Sequence, residues 1–174
     1  MPFYQTRGLI PPKRHTAFKR SLNTIYYEEL ISREGFSSLY SNVYHLSMPT
    51  KVIDLGKLIP IVIKKTNSKH KARHIQTQNI PDGGDIIYDR IPLMFNDDVI
   101  IHKAHITESM DSFYRNAHFD EVLYIQSGNG QLKTNFGNFE VKPGDYIVIP
   151  RGVIWQLEVN NDIRCLVIES KSPI

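Results

Sequence analysis

Few side chains in this 174-residue chain have both the type and the spacing for chemistry, and Glu121 is foremost among them. It stands in HFDEVLYI, at the head of an apolar run. A carboxylate there can serve as a metal ligand, a general base or one half of an ion pair. A carboxylate buried alone is costly, so pairing with Arg115 or Arg151 is the expected role. An open metal site would need imidazoles beside that carboxylate, with positions left free for substrate. The histidines do not supply them at useful spacing. His102 and His105 are three apart, which on a strand places them on opposite faces. His70 and His74 are four apart and would share a helical face, but Lys69, Lys71 and Arg73 surround them and repel a cation. His118 precedes Asp120 by two residues in an expected loop, exposed to solvent. The single cysteine, Cys165, excludes an internal disulfide, and its apolar setting marks a structural thiol. There are no cysteine pairs for zinc, and no triad, phosphate-loop or dinucleotide motif. From the residues alone, no catalytic, cofactor-binding or metal site is expected.

The elements that must position these residues read as strands. Val122 to Ile125, Tyr146 to Ile149 and Ile163 to Ile168 are short β-branched and aromatic runs bounded by Gly, Pro, Asn or Asp. Leu132, Thr134 and Phe136 alternate, as do Phe139 and Val141, with a hairpin turn expected at Phe136-Gly137-Asn138. Pro143-Gly144-Asp145 is a second turn, and Pro150-Arg151-Gly152 ends the next strand. Further strands are expected at Lys51 to Leu55, Ile59 to Ile63, His74 to Gln78, Asp85 to Asp89 and Val99 to His105. Ile25 to Ile31 fits a strand or a helical turn equally well. Gly35 to Tyr44 is rich in turn residues and should dock through Phe36, Leu39, Tyr40 and Tyr44. Many short strands split by Gly and Pro turns indicate an all-β jelly roll or barrel with little helix. Pro2, Pro11 and Pro12 make Met1 to Arg20 an extended arm. The organisation expected is an arm and aromatic-rich docking segment over 1–50, then a β-barrel over 51–174.

Length and composition suit one modest globular core. The net charge of +3 is concentrated in two clusters: Lys13, Arg14, His15, Lys19 and Arg20, then Lys64, Lys65, Lys69, His70, Lys71, Arg73 and His74. They lack interleaved aromatics, so solvated basic surface is the expectation and nucleic-acid binding is not. No apolar stretch is long enough to span a bilayer, and the first residues have no signal-peptide core, which leaves the cytoplasm as the default location.

The block FYRNAHFDEVLYIQSGNGQLKTNFGNFEVKPGDYIVIPRGVIW, residues 113–155, resembles the two-part signature of a cupin barrel. Together with MPFYQTRGLIPPKRHTAFKR, YYEELISREGFSSLYSNVYHLSMPTKV and RIPLMFNDDV, it resembles the amino-terminal half of the homogentisate 1,2-dioxygenases, in order along the chain. The arm motif PPKRHTAF and the GFSS segment carry more of that resemblance than the cupin block. It implies a two-cupin protein about twice this length, built into oligomers of trimers, that cleaves the homogentisate ring in tyrosine and phenylalanine breakdown. Its Fe(II) would sit in the carboxy-terminal half. The resemblance also assigns the cupin ligand positions: counting back from Glu121, the histidine positions fall on Tyr114 and Asn116, and the last falls on Trp155. A phenol, an amide, an indole and one carboxylate are not an Fe(II) set, and Tyr114 and Trp155 are expected to fill that space. The chain is thus expected to be the metal-free scaffold and assembly portion of such an enzyme, inactive alone. Its expected partners are the carboxy-terminal cupin or further copies of itself. The alternative is a stand-alone metal-free binding or interaction module. The ending after Ile168 is expected to mark a domain boundary.

Overall fold

A computed structural model describes residues 19–32, 35, 39–59, 69, 71–81 and 83–174. Contacts divide the chain into Met1–Lys57 and Leu58–Ile174. In the first unit, β1 (Lys19–Ser21) pairs with β2 (Thr24–Ile25), and β3 (Tyr27–Ser32) pairs antiparallel with β4 (Tyr40–His45). The Ile25 to Ile31 stretch is therefore strand, broken at Tyr26. The second half of the Gly35 to Tyr44 segment is strand as well, and the β3–β4 hairpin carries an ion pair between His45 Nε2 and Glu29 Oε2 at 2.8 Å.

The second unit is a sheet in the order β5 (Ile91–Phe95), β6 (Val99–Ile106), β10 (Trp155–Ser170), β7 (Asp120–Thr134), β8 (Gly137–Val141). β9 (Tyr146–Ile149) pairs with the first part of β7, while β8 pairs with its last part. Alternation decides which side chains meet inside. Leu123 and Ile125 of β7, Ala104 and Ile106 of β6, and Trp155, Leu157, Ile163, Cys165 and Val167 of β10 are all buried. The pairing of β7 with β10 shifts register between Val159 and Cys165. Gly128 makes that bend possible: its φ is +83°, and a Cβ there would lie 2.1 Å from the Asp162 carbonyl oxygen.

Several expected elements differ in the structure. Lys51 to Leu55 is irregular and exposed, with Val52, Ile53 and Leu55 all more than two-thirds accessible and no strand paired with it among the described residues. The stretch His74 to Gln78 runs into a 3-10 turn over Thr77–Asn79, whose Thr77 and Ile80 carbonyls accept from Lys103 Nζ. Asp85 to Asp89 is a turn: Asp85 Oδ1 accepts from the N–H groups of Ile87 and Tyr88, and Asp89 Oδ2 from that of Asp85. Side-chain capture of local N–H groups has outcompeted a ladder there. The hairpin turn lies at Asn135-Phe136, one residue earlier than expected. Thr134 pairs with Gly137 and its hydroxyl braces the loop, donating to the Gly137 carbonyl and accepting from Phe136 N–H. The turns at Pro143-Gly144 and Pro150-Gly152 are as expected, with Asp145 N–H bonded to the Lys142 carbonyl and Val153 N–H to that of Pro150. The arm over 1–18, the members Lys64, Lys65 and His70 of the second basic cluster, and most of the Ile59 to Ile63 stretch lie outside the described residues. Among the described residues no helix is long and apolar enough to cross a membrane.

Candidate functional site

The strand alternation that builds the core also carries three ionisable side chains into it. On β10 the buried series Ile163, Cys165, Val167 continues to Glu169, and on β7 the series Ile125, Leu123 continues back to Glu121. The register sets Glu169 directly opposite Glu121. On β6, His102 lies on the same buried face, opposite Val167 and one pair away from Glu169. His105 takes the other face, 3.6 Å from Asp162, as its spacing from His102 requires.

Two glutamates facing each other inside a sheet repel unless a cation joins them. Arg90 is that cation here. The turn closed by Asp85 and Asp89, anchored by the fully buried Ile86, delivers it at the start of β5. Its Nη1 donates to Glu121 Oε1 and its Nη2 to Glu169 Oε1, each at 2.9 Å, with the guanidinium side chain only 8% exposed. Glu169 Oε2 bonds His102 Nε2 at 2.8 Å, and Asn116 Nδ2 donates to Glu169 Oε1 at 2.9 Å. The two carboxyls respond differently. Burial pushes Glu121 up, and this outweighs Arg90. Burial also acts on Glu169, but the His102 hydrogen bond and the Arg90 charge hold it below the usual carboxylate range. Despite its own burial, Arg90 is held more firmly protonated by the two glutamates.

The positions assigned by resemblance surround this cluster. Tyr114 bridges Trp155 through the backbone, and their rings meet edge to face at 5.6 Å and 84°. The Tyr114 phenol is pushed up to about 12 by burial and then by the Glu121 charge. Trp155 is almost fully buried, and its Nε1 finds no hydrogen-bond partner among the described residues. Asn116 uses its Oδ1 to accept from the His118 and Phe119 N–H groups, ordering the loop in which His118 is exposed. The expected partner of Glu121 is corrected: Arg151 instead bonds the adjacent Asp120, through its own N–H at 3.0 Å and Nε at 2.9 Å. Successive residues of a strand face opposite ways, so Asp120 and Glu121 cannot share one arginine. Cys165 is fully buried, its thiol pushed up to about 12 by burial.

Tyr114, Asn116, Glu121 and Trp155 therefore belong to one neighbourhood. Arg90 and Glu169 were missed, and His102 was weighed only as a metal ligand, not as the partner of a buried carboxylate. Glu169 was legible as the continuation of the inward alternation in β10, had the strand not been ended at Ile168. Arg90 carried no such signal, because its placement depends on the turn before it. Among the described residues no three His, Cys, Asp or Glu side chains form a group able to hold a metal ion. The residues present do not fit Fe(II): the one retained carboxylate is engaged by a guanidinium, and the other three positions are a phenol, an amide and an indole.

A separate groove of about 490 Å3 lies across β8 and β9, with Leu132 and Val153 at its base and Phe136, Phe139, Tyr146 and Val148 along its exposed walls.

Residues 89–173 match the family described as homogentisate 1,2-dioxygenase N-terminal. The chain is 38% identical over 173 residues to a Saccharolobus solfataricus protein whose name assigns it provisionally to the dioxygenases, covering 98% of this chain and 45% of that protein. It is 41% identical over 61 residues to the homogentisate 1,2-dioxygenase of Bradyrhizobium diazoefficiens, 34% of this chain and 14% of that one. The chain thus spans less than half the length of the first relative. Solved structures that align with it include a cupin-2 domain protein from Shewanella frigidimarina, with 18% identity, TM-score 0.44 and coverage of 50% and 84% of the two chains. A cupin protein from Bacteroides fragilis aligns with 18% identity, TM-score 0.43 and coverage of 54% and 86%.

Proposed function

Because residues 89–173 belong to the homogentisate 1,2-dioxygenase N-terminal family, an all-β cupin, we propose that this chain is the non-metal cupin portion of such a ring-cleaving oxygenase. In this reading it is a scaffold and assembly domain in the breakdown of aromatic amino acids, in the cytoplasm. The observation that carries it is the Arg90 ion pair on Glu121 and Glu169. A guanidinium stands against the carboxylate that a metal-binding cupin would turn to its ion. No catalytic or cofactor-binding residue is assigned in this chain, and iron belongs to a carboxy-terminal cupin, the partner proposed together with further copies of the chain. The purified chain, supplied anaerobically with Fe(II) and then with homogentisate and oxygen, is expected to show no substrate-dependent oxygen uptake. Uptake that scales with bound iron would contradict the proposal.

The groove across β8 and β9 supports a second reading, a metal-free binding or interaction module. Tyr146 is 72% exposed and Phe139 50%, so substantial aromatic surface faces solvent there. The readings separate on whether the chain binds a carboxy-terminal cupin of its relatives: stable co-purification favours the scaffold, and its failure favours the module.

A further inference from the structure

Residues 51–59, KVIDLGKLI, form neither helix nor strand and leave Val52, Ile53, Leu55, Leu58 and Ile59 in solvent. Ile53 is 90% exposed and Leu58 93%. So dense an apolar stretch is uncommon in water unless a partner covers it. Lys51 N–H bonds the Met48 carbonyl and Leu55 N–H the Asp54 side chain; among the described residues the other backbone groups of the stretch meet no backbone partner. The groove across β8 and β9 has the matching lack. β9 pairs with β7 alone among the described strands. The bond from Ile125 N–H to the Asp145 carbonyl sets the phase of that ladder, so Ile147 and Ile149 turn their backbone groups to β7. Tyr146 and Val148 turn theirs to the open edge, where no described backbone meets them. The charged side chains lining the groove, Glu140 and Asp145, are both acidic.

We propose that residues 51–59 of one copy of this chain lie as an added strand along β9 of a second copy. Strand addition satisfies the open backbone groups of both sides at once. In an extended chain Lys51, Ile53, Leu55 and Lys57 share one face. Ile53 and Leu55 then enter the groove beside Phe139 and Tyr146, and the flanking lysines bring positive charge to Glu140 and Asp145. Asp54 points the other way, clear of those carboxylates. Both surfaces stand uncovered in the single chain, which is why the occupant is another copy. The contact deepens the assembly reading and rests on it. That reading falls with iron-dependent oxygen uptake, whereas this contact falls with the cross-linking result.

The test uses the whole chain. Asp54→Cys and Val148→Cys are made as separate chains, mixed and treated with a short bis-maleimide, with wild type as the control because Cys165 is buried. Circular dichroism checks that each chain keeps the wild-type fold, and Tyr146→Cys, at the more exposed position, is a second acceptor. The mixture is expected to give a covalent dimer of one chain of each kind, linked between positions 54 and 148 or 146 by mass spectrometry. Adding Ile53→Asp and Leu55→Asp to the Asp54→Cys chain is expected to abolish that product, and the same two changes in wild type to lower the mass seen by light scattering to that of one chain. The proposal is overturned if neither acceptor links to position 54, if the link survives Ile53→Asp with Leu55→Asp, or if wild type has the mass of one chain at every concentration. It is also overturned if a chain carrying both cysteines links only within itself on dilution.

Discussion

Arg90, Glu121, Glu169 and His102 form the cluster on which this barrel's interior electrostatics depend. Removing one partner of a buried pair leaves an uncompensated charge, so Arg90→Met should cost about 3–5 kcal/mol in urea unfolding at neutral pH. Further loss of Glu121 by Glu121→Gln in that background should recover part of it, because the opposed carboxylates then no longer repel. Full additivity of the two changes would contradict the coupling. Tyr114 makes a pH prediction. Its phenol is raised from 10.0 to about 12 in the fold, so the protonated form is favoured there. Its contribution to stability is whole below pH 10 and is lost as pH rises toward about 12. Tyr114→Phe should therefore lose less stability than wild type between pH 10 and 12, and equal slopes in the two proteins would count against this environment. Cys165 is raised from 9.0 to about 12 by burial, so at pH 8 a thiol reagent should label it only after denaturation. Rapid labelling of the native chain would refute the buried assignment.

At the scale of elements, what was legible in the sequence was what local pattern determines. Val99 to His105, Tyr146 to Ile149 and the two Pro-Gly turns were readable because alternation and fixed proline φ act within a few residues. Asp85 to Asp89 was misread because its aspartates bond their own backbone, a choice that short apolar runs do not reveal. The partner of Glu121 was misread for a different reason. Arg90 lies 31 residues away, and only the sheet order β5-β6-β10-β7 brings the two together. The bend where β7 passes β10 is also tertiary: Gly128 is required there because backbone approaches it from across the pair. Gly128→Ala should destabilise by more than about 1 kcal/mol, since the new Cβ meets both an unfavourable φ and the Asp162 carbonyl. A neutral effect in urea unfolding would mean that this crossing is looser than the structure has it.

For the whole molecule, the retained fold and the altered site point in one direction. Residues 89–173 match the homogentisate 1,2-dioxygenase N-terminal family, while the positions that resemblance assigns to metal ligands hold Tyr114, Asn116 and Trp155 around an ion-paired Glu121. The molecule keeps the cost of a buried carboxylate pair and balances it internally with Arg90 and His102. The scaffold role proposed for the chain would rest on shape and surface, and an exposed aromatic groove lies across β8 and β9. The most direct test is equilibrium dialysis of the wild-type chain against Fe(II) under anaerobic conditions, with bound iron measured per chain. The account predicts no stoichiometric binding and no change in melting temperature, whereas about one tightly held Fe(II) per chain, lost on Glu121→Gln, would contradict it.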